Sequence, residues 1–198
     1  MVVSRDAALE LFRRQIEQSC SVKQNFSAEL LERVWCLAER TIAAYRSGNK
    51  VLLMGNGGSA ADAQHIASEL VGQFRMRRKA LAAIALTTDS SILTSVSNDF
   101  GFEECFVRQV QALGAANDIV IAISTSGRSP NVVRAIEAAH AAKCYTTALT
   151  GQTGGDLASR VDLLLSVPSE ETPRIQEAHS LLGHMYCDLV ERALFAPE

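Results

Sequence analysis

The stretch Lys50–Glu69, KVLLMGNGGSAADAQHIASE, reads as a buried strand, a glycine turn and a helix. Val51, Leu52, Leu53 and Met54 form an unbroken apolar run, the pattern of a strand covered on both faces in a parallel sheet. Gly55, Gly57 and Gly58 follow at once, and without Cβ atoms there backbone N–H groups can crowd around a ligand. Ser59 is placed to cap the next helix, with Asp62 three residues on completing a capping-box-like pair. His65 and Glu69, at i and i+4, share one helix face. This pattern sets a phosphate cradle beside an acid–base or metal pair.

The rest of the composition narrows the class. The chain has 198 residues, long enough for one domain with a substantial core, and 47% of them are hydrophobic. No apolar run approaches the ~20 residues that a membrane span needs. The opening MVVSRDAALELFRRQ lacks the apolar core of a signal peptide, which implies a cytoplasmic protein. A net charge of -3 gives no general footprint for nucleic acid, so neither nucleic acid nor membrane is an expected partner. Cys20, Cys36, Cys105, Cys144 and Cys187 contain no CxxC and are expected as reduced, buried small residues.

Upstream of the opening strand, Leu9, Phe12 and Ile16, then Phe26, Leu30, Leu31, Val34 and Leu37, recur at helical spacing. Two helices are expected, broken near Ser21–Asn25, the second ending at Ser47-Gly48-Asn49. Their apolar positions spread over more than one face, which suits subunit assembly. Downstream, strands are expected at Lys50–Met54, Ala83–Leu86, Asp118–Ile123, Tyr145–Leu149 and Leu163–Val167. Helices are expected around Ser59–Val71, Ser91–Ser97, Glu103–Leu113, Pro130–Ala142 and Gly154–Ser159. Such alternation argues for an α/β fold with a doubly wound parallel sheet, whose ligands bind beyond the carboxyl ends of the strands.

Those strand ends are rich in hydroxyls and glycine. Thr87-Thr88-Asp89-Ser90-Ser91 follows the second strand, and Thr150-Gly151-Gln152-Thr153-Gly154-Gly155 the fourth. After the third comes Ser124-Thr125-Ser126-Gly127-Arg128-Ser129-Pro130-Asn131, with Ser129 and Pro130 well chosen for an N-cap and a first helical position. An ordinary strand–helix loop has this composition too, but beside GNGGS it reads as an anion site at a helix N-terminus. Neither loop is a Walker A motif. Gly55–Ala60 fits GxGxxA, yet the acid of a dinucleotide site is missing: Asp89 lies 29 residues past Ala60, beyond a threonine-rich turn. Asn98-Asp99-Phe100-Gly101-Phe102 reads as a turn that either caps the next helix or binds sugar hydroxyls, and Arg75, Arg77, Arg78 and Lys79 as a solvated basic loop, with phosphate steering as the alternative.

A last helix, capped by Thr172 with Pro173 at its first position, carries Gln176, Glu177, His179 and His184. His179 and His184 are five apart, about 140° round a helix, so they face different ways. His140 is expected on the surface.

GNGGSAADAQHIASE, NDFGF, ISTSGRSPN, LTG with its following GG, and RIQEAHSLLGH, in this order and spacing, resemble the phosphosugar isomerases of the SIS (sugar isomerase) family. Within it they are most similar to the branch acting on sedoheptulose 7-phosphate in bacterial heptose biosynthesis. The resemblance implies a three-layer SIS fold with a five-stranded, flavodoxin-like parallel sheet and N-terminal helices. It also implies a homotetramer with active sites between subunits. By that pattern Ser124, Thr125, Ser126 and Ser129 would bind the phosphate, while Asn56, Gly57, Gly58, Asn98 and Asp99 would line the sugar site. Glu69 and His184 would be the acid–base pair. Zinc would be held by His65, Glu69, Gln176 and His184, with Glu69 and Gln176 also facing substrate. The arginine that usually precedes the aromatic after the first site helix is replaced here by Gln73, ahead of Phe74.

Aldose–ketose isomerisation moves a proton between adjacent carbons through an enediol, and needs an acid–base group on each side. A carboxylate bound to zinc is a weaker base, so the two duties of Glu69 compete. Gln176 and His184 are about 12 Å apart along a regular helix, so the expectation is that Gln176 reaches back from the first turn or that the two serve one site from different subunits. The rival reading is a non-catalytic, tetrameric SIS protein that binds the replication initiator DnaA. Members of that group lose the acid–base pair, which is present here. A sugar-phosphate-sensing regulator would need a basic recognition helix that the N-terminus does not offer.

Overall fold

In a computed structural model, which describes residues 4–196, five parallel strands form one sheet between two layers of helices. The chain begins with helices α1 (Arg5–Gln24) and α2 (Ala28–Arg46). Strand β1 (Val51–Gly55) then leads into α3 (Gly58–Val71), and β2 (Ala83–Ala85) into α4 (Ser90–Phe100). A 3₁₀ turn at Phe102–Glu104 and α5 (Val107–Leu113) precede β3 (Ile119–Ser124) and α6 (Pro130–Ala141). Strand β4 (Tyr145–Thr150), a 3₁₀ turn at Gly155–Ser159, β5 (Leu163–Ser166) and α7 (Thr172–Phe195) complete it.

The strand order is β2-β1-β3-β4-β5, the flavodoxin-like order expected. All four pairings are parallel, and Gly55 lies opposite Ile123, so the loops leaving β1 and β3 emerge side by side. Because β1 connects to β2 on one side and the chain then crosses to β3 on the other, this is the topological switch point, where ligands bind.

Successive residues of β1 feed opposite layers. Val51 and Leu53 pack with Leu37 of α2, Leu70 of α3 and Leu182 of α7. Leu52 and Met54 pack with Val110 of α5 and Ile136 of α6. A strand buried on both faces has no polar alternation, as the apolar run foretold. Among the described residues no helix is long and apolar enough to cross a membrane.

Several boundaries differ from the sequence reading. The N-cap of α3 is Gly57, not Ser59, and no side chain caps it. Ser59 is buried inside the helix, and Asp62 accepts instead from Ser180 Oγ at 2.9 Å, a tertiary partner that outcompetes the local cap. Thr172 and Pro173 are the first two residues of α7, with Glu171 at its N-cap. The helix expected from Glu103 is split into a 3₁₀ turn and α5, and Asn98–Phe100 are the last turn of α4 rather than part of a loop. Only Gly101, at φ 93, makes the turn that the NDFGF composition signalled. All five cysteines are free, but Cys20 is exposed on α1 rather than buried.

The candidate active site at the sheet switch point

The loop after β1 turns at Gly57, whose φ of 55 no β-carbon residue adopts without strain. That turn sends α3 back across the sheet with Asn56 at the strand edge. Asn56 pairs reciprocally with Asn131 of α6: each amide donates to the other's Oδ1, at 2.9 and 3.0 Å. The side chain of Asn131 is buried and also reaches Cys105 Sγ at 3.4 Å. The amide pair therefore fastens the loop after β1 to the loop after β3. The sequence reading gave Asn131 no role; an Asn just inside a helix is locally an ordinary residue, and its partner lies 75 positions away.

In the loop after β3, Ser124 Oγ lies 3.2 Å from Ser129 Oγ and accepts from the Gly127 N–H at 3.2 Å. Ser126 Oγ accepts from the Arg128 N–H at 3.2 Å. Ser129 is the N-cap residue of α6 by backbone, yet its hydroxyl makes no capping bond. Hydroxyls and N–H groups are thus gathered at a helix N-terminus, where the dipole favours an anion. Thr125 sits between them, its carbonyl accepting from the Gly151 N–H at 3.0 Å.

Beyond the glycine turn, α3 crosses α7. His65 Nε2 stands 2.8 Å from His184 Nε2 and 3.6 Å from Glu69 Oε1. One ligand atom from each of these three residues lies within 4.8 Å of the others. Two imidazole nitrogens and a carboxylate oxygen are the donor set of a catalytic zinc site, with three protein ligands and a fourth position left open. The residues present therefore fit zinc. Gln176 lies on α7 eight residues before His184, and its side-chain amide is the nearest group to where a Gly58 Cβ would stand.

Asn98 and Asp99 lie exposed on the last turn of α4; among the described residues their side chains hydrogen-bond only to each other, at 2.8 Å. The histidines sort clearly. His140 is exposed and meets the Arg160 carbonyl at 2.7 Å. His179 is buried against the Thr150 carbonyl at 3.1 Å, and burial pushes its pKa down to about 4. It is a neutral core residue, and His184 is the histidine that reaches the cluster.

The basic loop is not solvated throughout. Arg78 is buried against Glu191 of α7, with Nε 2.9 Å from Oε2 and both side chains almost inaccessible. A cavity of about 260 Å³ lies among Arg40, Asn49, Asn117 and Tyr145 at the opposite, amino end of the strands, remote from this chemistry.

The chain matches the SIS domain over residues 14–151, and with its parallel sheet and strand-end loops it belongs to that family. It is 52% identical to the phosphoheptose isomerase of Geobacter sp. (strain M21) over 94% of this chain and 97% of that protein. A phosphoheptose isomerase from Pelobacter propionicus is 57% identical over 81% of this chain and 85% of its own length. The solved phosphoheptose isomerase of Neisseria gonorrhoeae superposes with a TM-score of 0.88 at 44% identity, covering 93% of this chain and 98% of that one. The chain is a member of the phosphoheptose isomerase family, an isomerase group within the SIS domain proteins. These likenesses do not favour the non-catalytic DnaA-binding alternative.

Proposed function

We propose that the chain converts sedoheptulose 7-phosphate to D-glycero-D-manno-heptose 7-phosphate, with Glu69 and His184 as its acid–base pair. The observation that supports this is the meeting of Glu69, His65 and His184 where α3 packs on α7, in a fold whose loops after β1 and β3 are rich in hydroxyls and glycine. The phosphate would sit among Ser124, Thr125, Ser126 and Ser129, where hydroxyls and the α6 N-terminus receive its charge. Asn56, held by Asn131, the backbone of Gly57 and Gly58, and Asn98 and Asp99 would line the sugar.

Glu69 takes a proton from C1 of the ketose, the C–H electron pair becomes the C1=C2 bond, and the C2 oxygen gains a proton. Loss of the O1 proton then reforms a carbonyl at C1, and Glu69 returns its proton to C2. His184 carries the oxygen-bound proton from O1 to O2. His65, Glu69 and His184 would hold zinc. Held there, it would supply Lewis-acid polarisation of the substrate carbonyl.

The same reading includes a cytoplasmic homotetramer of single SIS domains spanning residues 1–198. Helix α1 supports assembly: it buries none of its residues within the chain, and Phe12 and Ile16 are 54% and 64% exposed. Two imidazoles at an open edge also suit a site completed by a neighbouring subunit, which could supply Gln176.

The test is turnover of sedoheptulose 7-phosphate by the purified protein, with and without a chelator. Glu69→Gln and His184→Ala should each cost about 10²–10⁴-fold in kcat with the oligomer intact. Near-normal turnover by either variant sinks the assignment. Ser126→Ala should act mainly on KM.

A further inference from the structure

Glu191 lies on α7 seven residues beyond His184, close to two helical turns, so both project from one face. Its buried carboxylate collects an unusual set of donors. The backbone N–H groups of Phe74, Arg75 and Met76 donate to it at 2.8, 2.6 and 2.7 Å. Arg78 Nε adds a fourth at 2.9 Å. Burial alone would raise the pKa of such a carboxyl; the four donors outweigh it and hold Glu191 below its ordinary value.

Arg78 extends the grip to the helix that carries Glu69. Its Nη2 donates to the Glu69 carbonyl at 2.7 Å and its Nη1 to the Leu70 carbonyl at 2.8 Å. These are carbonyls that the end of α3 leaves without helical partners. The loop so fixed places the Phe74 ring 5.6 Å from the His184 ring, tilted by 33°. Arg75, itself 3.7 Å from Asp188, lies with its guanidinium carbon 5.4 Å from the same Phe74 ring.

We propose that Glu191 and Arg78 are positioning residues, which hold Phe74 against the His184 imidazole and tie the last turn of α3 to α7. A buried ion pair alone is a poor source of stability, because desolvation offsets its attraction. What this pair gains is geometry: three consecutive N–H groups on one carboxylate fix a loop backbone, and with it the wall behind His184. The inference rests on His184 acting in the chemistry.

The experiment compares Phe74→Leu, Glu191→Gln and Arg78→Lys with the parent enzyme and with His184→Ala, in the zinc-supplied full chain. Phe74→Leu should lower kcat about tenfold with KM within about threefold, because substrate binding is untouched while the imidazole loses its support. Its melting temperature should stay close to the parent's, and the His184 ring-proton resonance should move. Glu191→Gln should lower kcat further, and adding Phe74→Leu to it should cost little more, since both act through one contact. Should Glu191→Gln not fold, Arg78→Lys carries the same comparison. Unchanged kcat and an unmoved His184 resonance in Phe74→Leu, beside an inactive His184→Ala, would overturn the positioning role alone. An active His184→Ala would instead overturn the reading of the site, while the His184 resonance still reports whether Phe74 positions the ring.

Discussion

His65 and His184, 119 positions apart in the chain, face each other Nε2 to Nε2 at 2.8 Å. Neither ring is spent on a backbone carbonyl, unlike His179 and His140. Two imidazoles left to each other, with Glu69 beside them, form a donor set that fits a metal ion.

That set predicts metal binding by this chain's own residues. The protein should take up about one zinc per chain, and His65→Ala should weaken uptake by about a hundredfold. Direct metal analysis after dialysis, and the visible spectrum of a cobalt-substituted sample, measure it without recourse to turnover. Equal zinc content in the parent and in His65→Ala would count against the cluster as a metal centre.

The glycines of the first loop separate folding from function. A Cβ at Gly55 would come within 2.6 Å of the Ser59 carbonyl and 2.8 Å of the Ile123 carbonyl, both backbone. Gly55→Ala should therefore destabilise the protein by roughly 1–3 kcal/mol or more. The three nearest atoms to a Cβ at Gly58 all belong to the amide of Gln176, the free end of a flexible side chain. Gly58→Ala should leave the melting temperature nearly unchanged, displace Gln176, and reduce turnover by about tenfold. Thermal denaturation and kinetics on the two variants read the contrast directly.

Acid stability should carry the mark of His179. Its folded pKa of about 4 lies below the ordinary 6.5, so between these values the unfolded chain binds a proton that the native chain does not. Stability from this residue is complete above about pH 6.5 and falls as pH drops towards 4, by roughly 3 kcal/mol at most. His179→Gln can still donate to the Thr150 carbonyl but has no proton to gain. Denaturant titrations across this range should show a shallower loss of stability with acid for the variant.

The exposed stripe on α1 predicts a self-association defect. Phe12→Glu combined with Ile16→Glu places charge where apolar residues stand 54% and 64% exposed in the single chain. Sedimentation at micromolar concentration should show the parent as a tetramer and the double variant as smaller species. A parent that sediments as a monomer would remove the assembly proposal.

Much of this protein was legible in its sequence because short-range patterns encode short-range structure. The apolar runs at Val51–Met54 and Ile119–Ile123 announced strands, and both are buried along their whole length. Cap positions were less secure, since Ser59 and Asp62 found burial and a tertiary partner stronger than the local bond. The basic loop was misjudged at Arg78 for the same reason: nothing near it in sequence announces Glu191, 113 positions away.

What the sequence determined by itself was the set of elements, their alternation, and which loops carry hydroxyls and glycines. Only the tertiary structure decided that Asn131 holds Asn56, and that Glu191 gathers the loop behind His184. The physical reason is one of range. Helical and strand periods are written in neighbouring residues, but which faces of α3 and α7 cross, and at what register, depends on how the whole core packs beneath them.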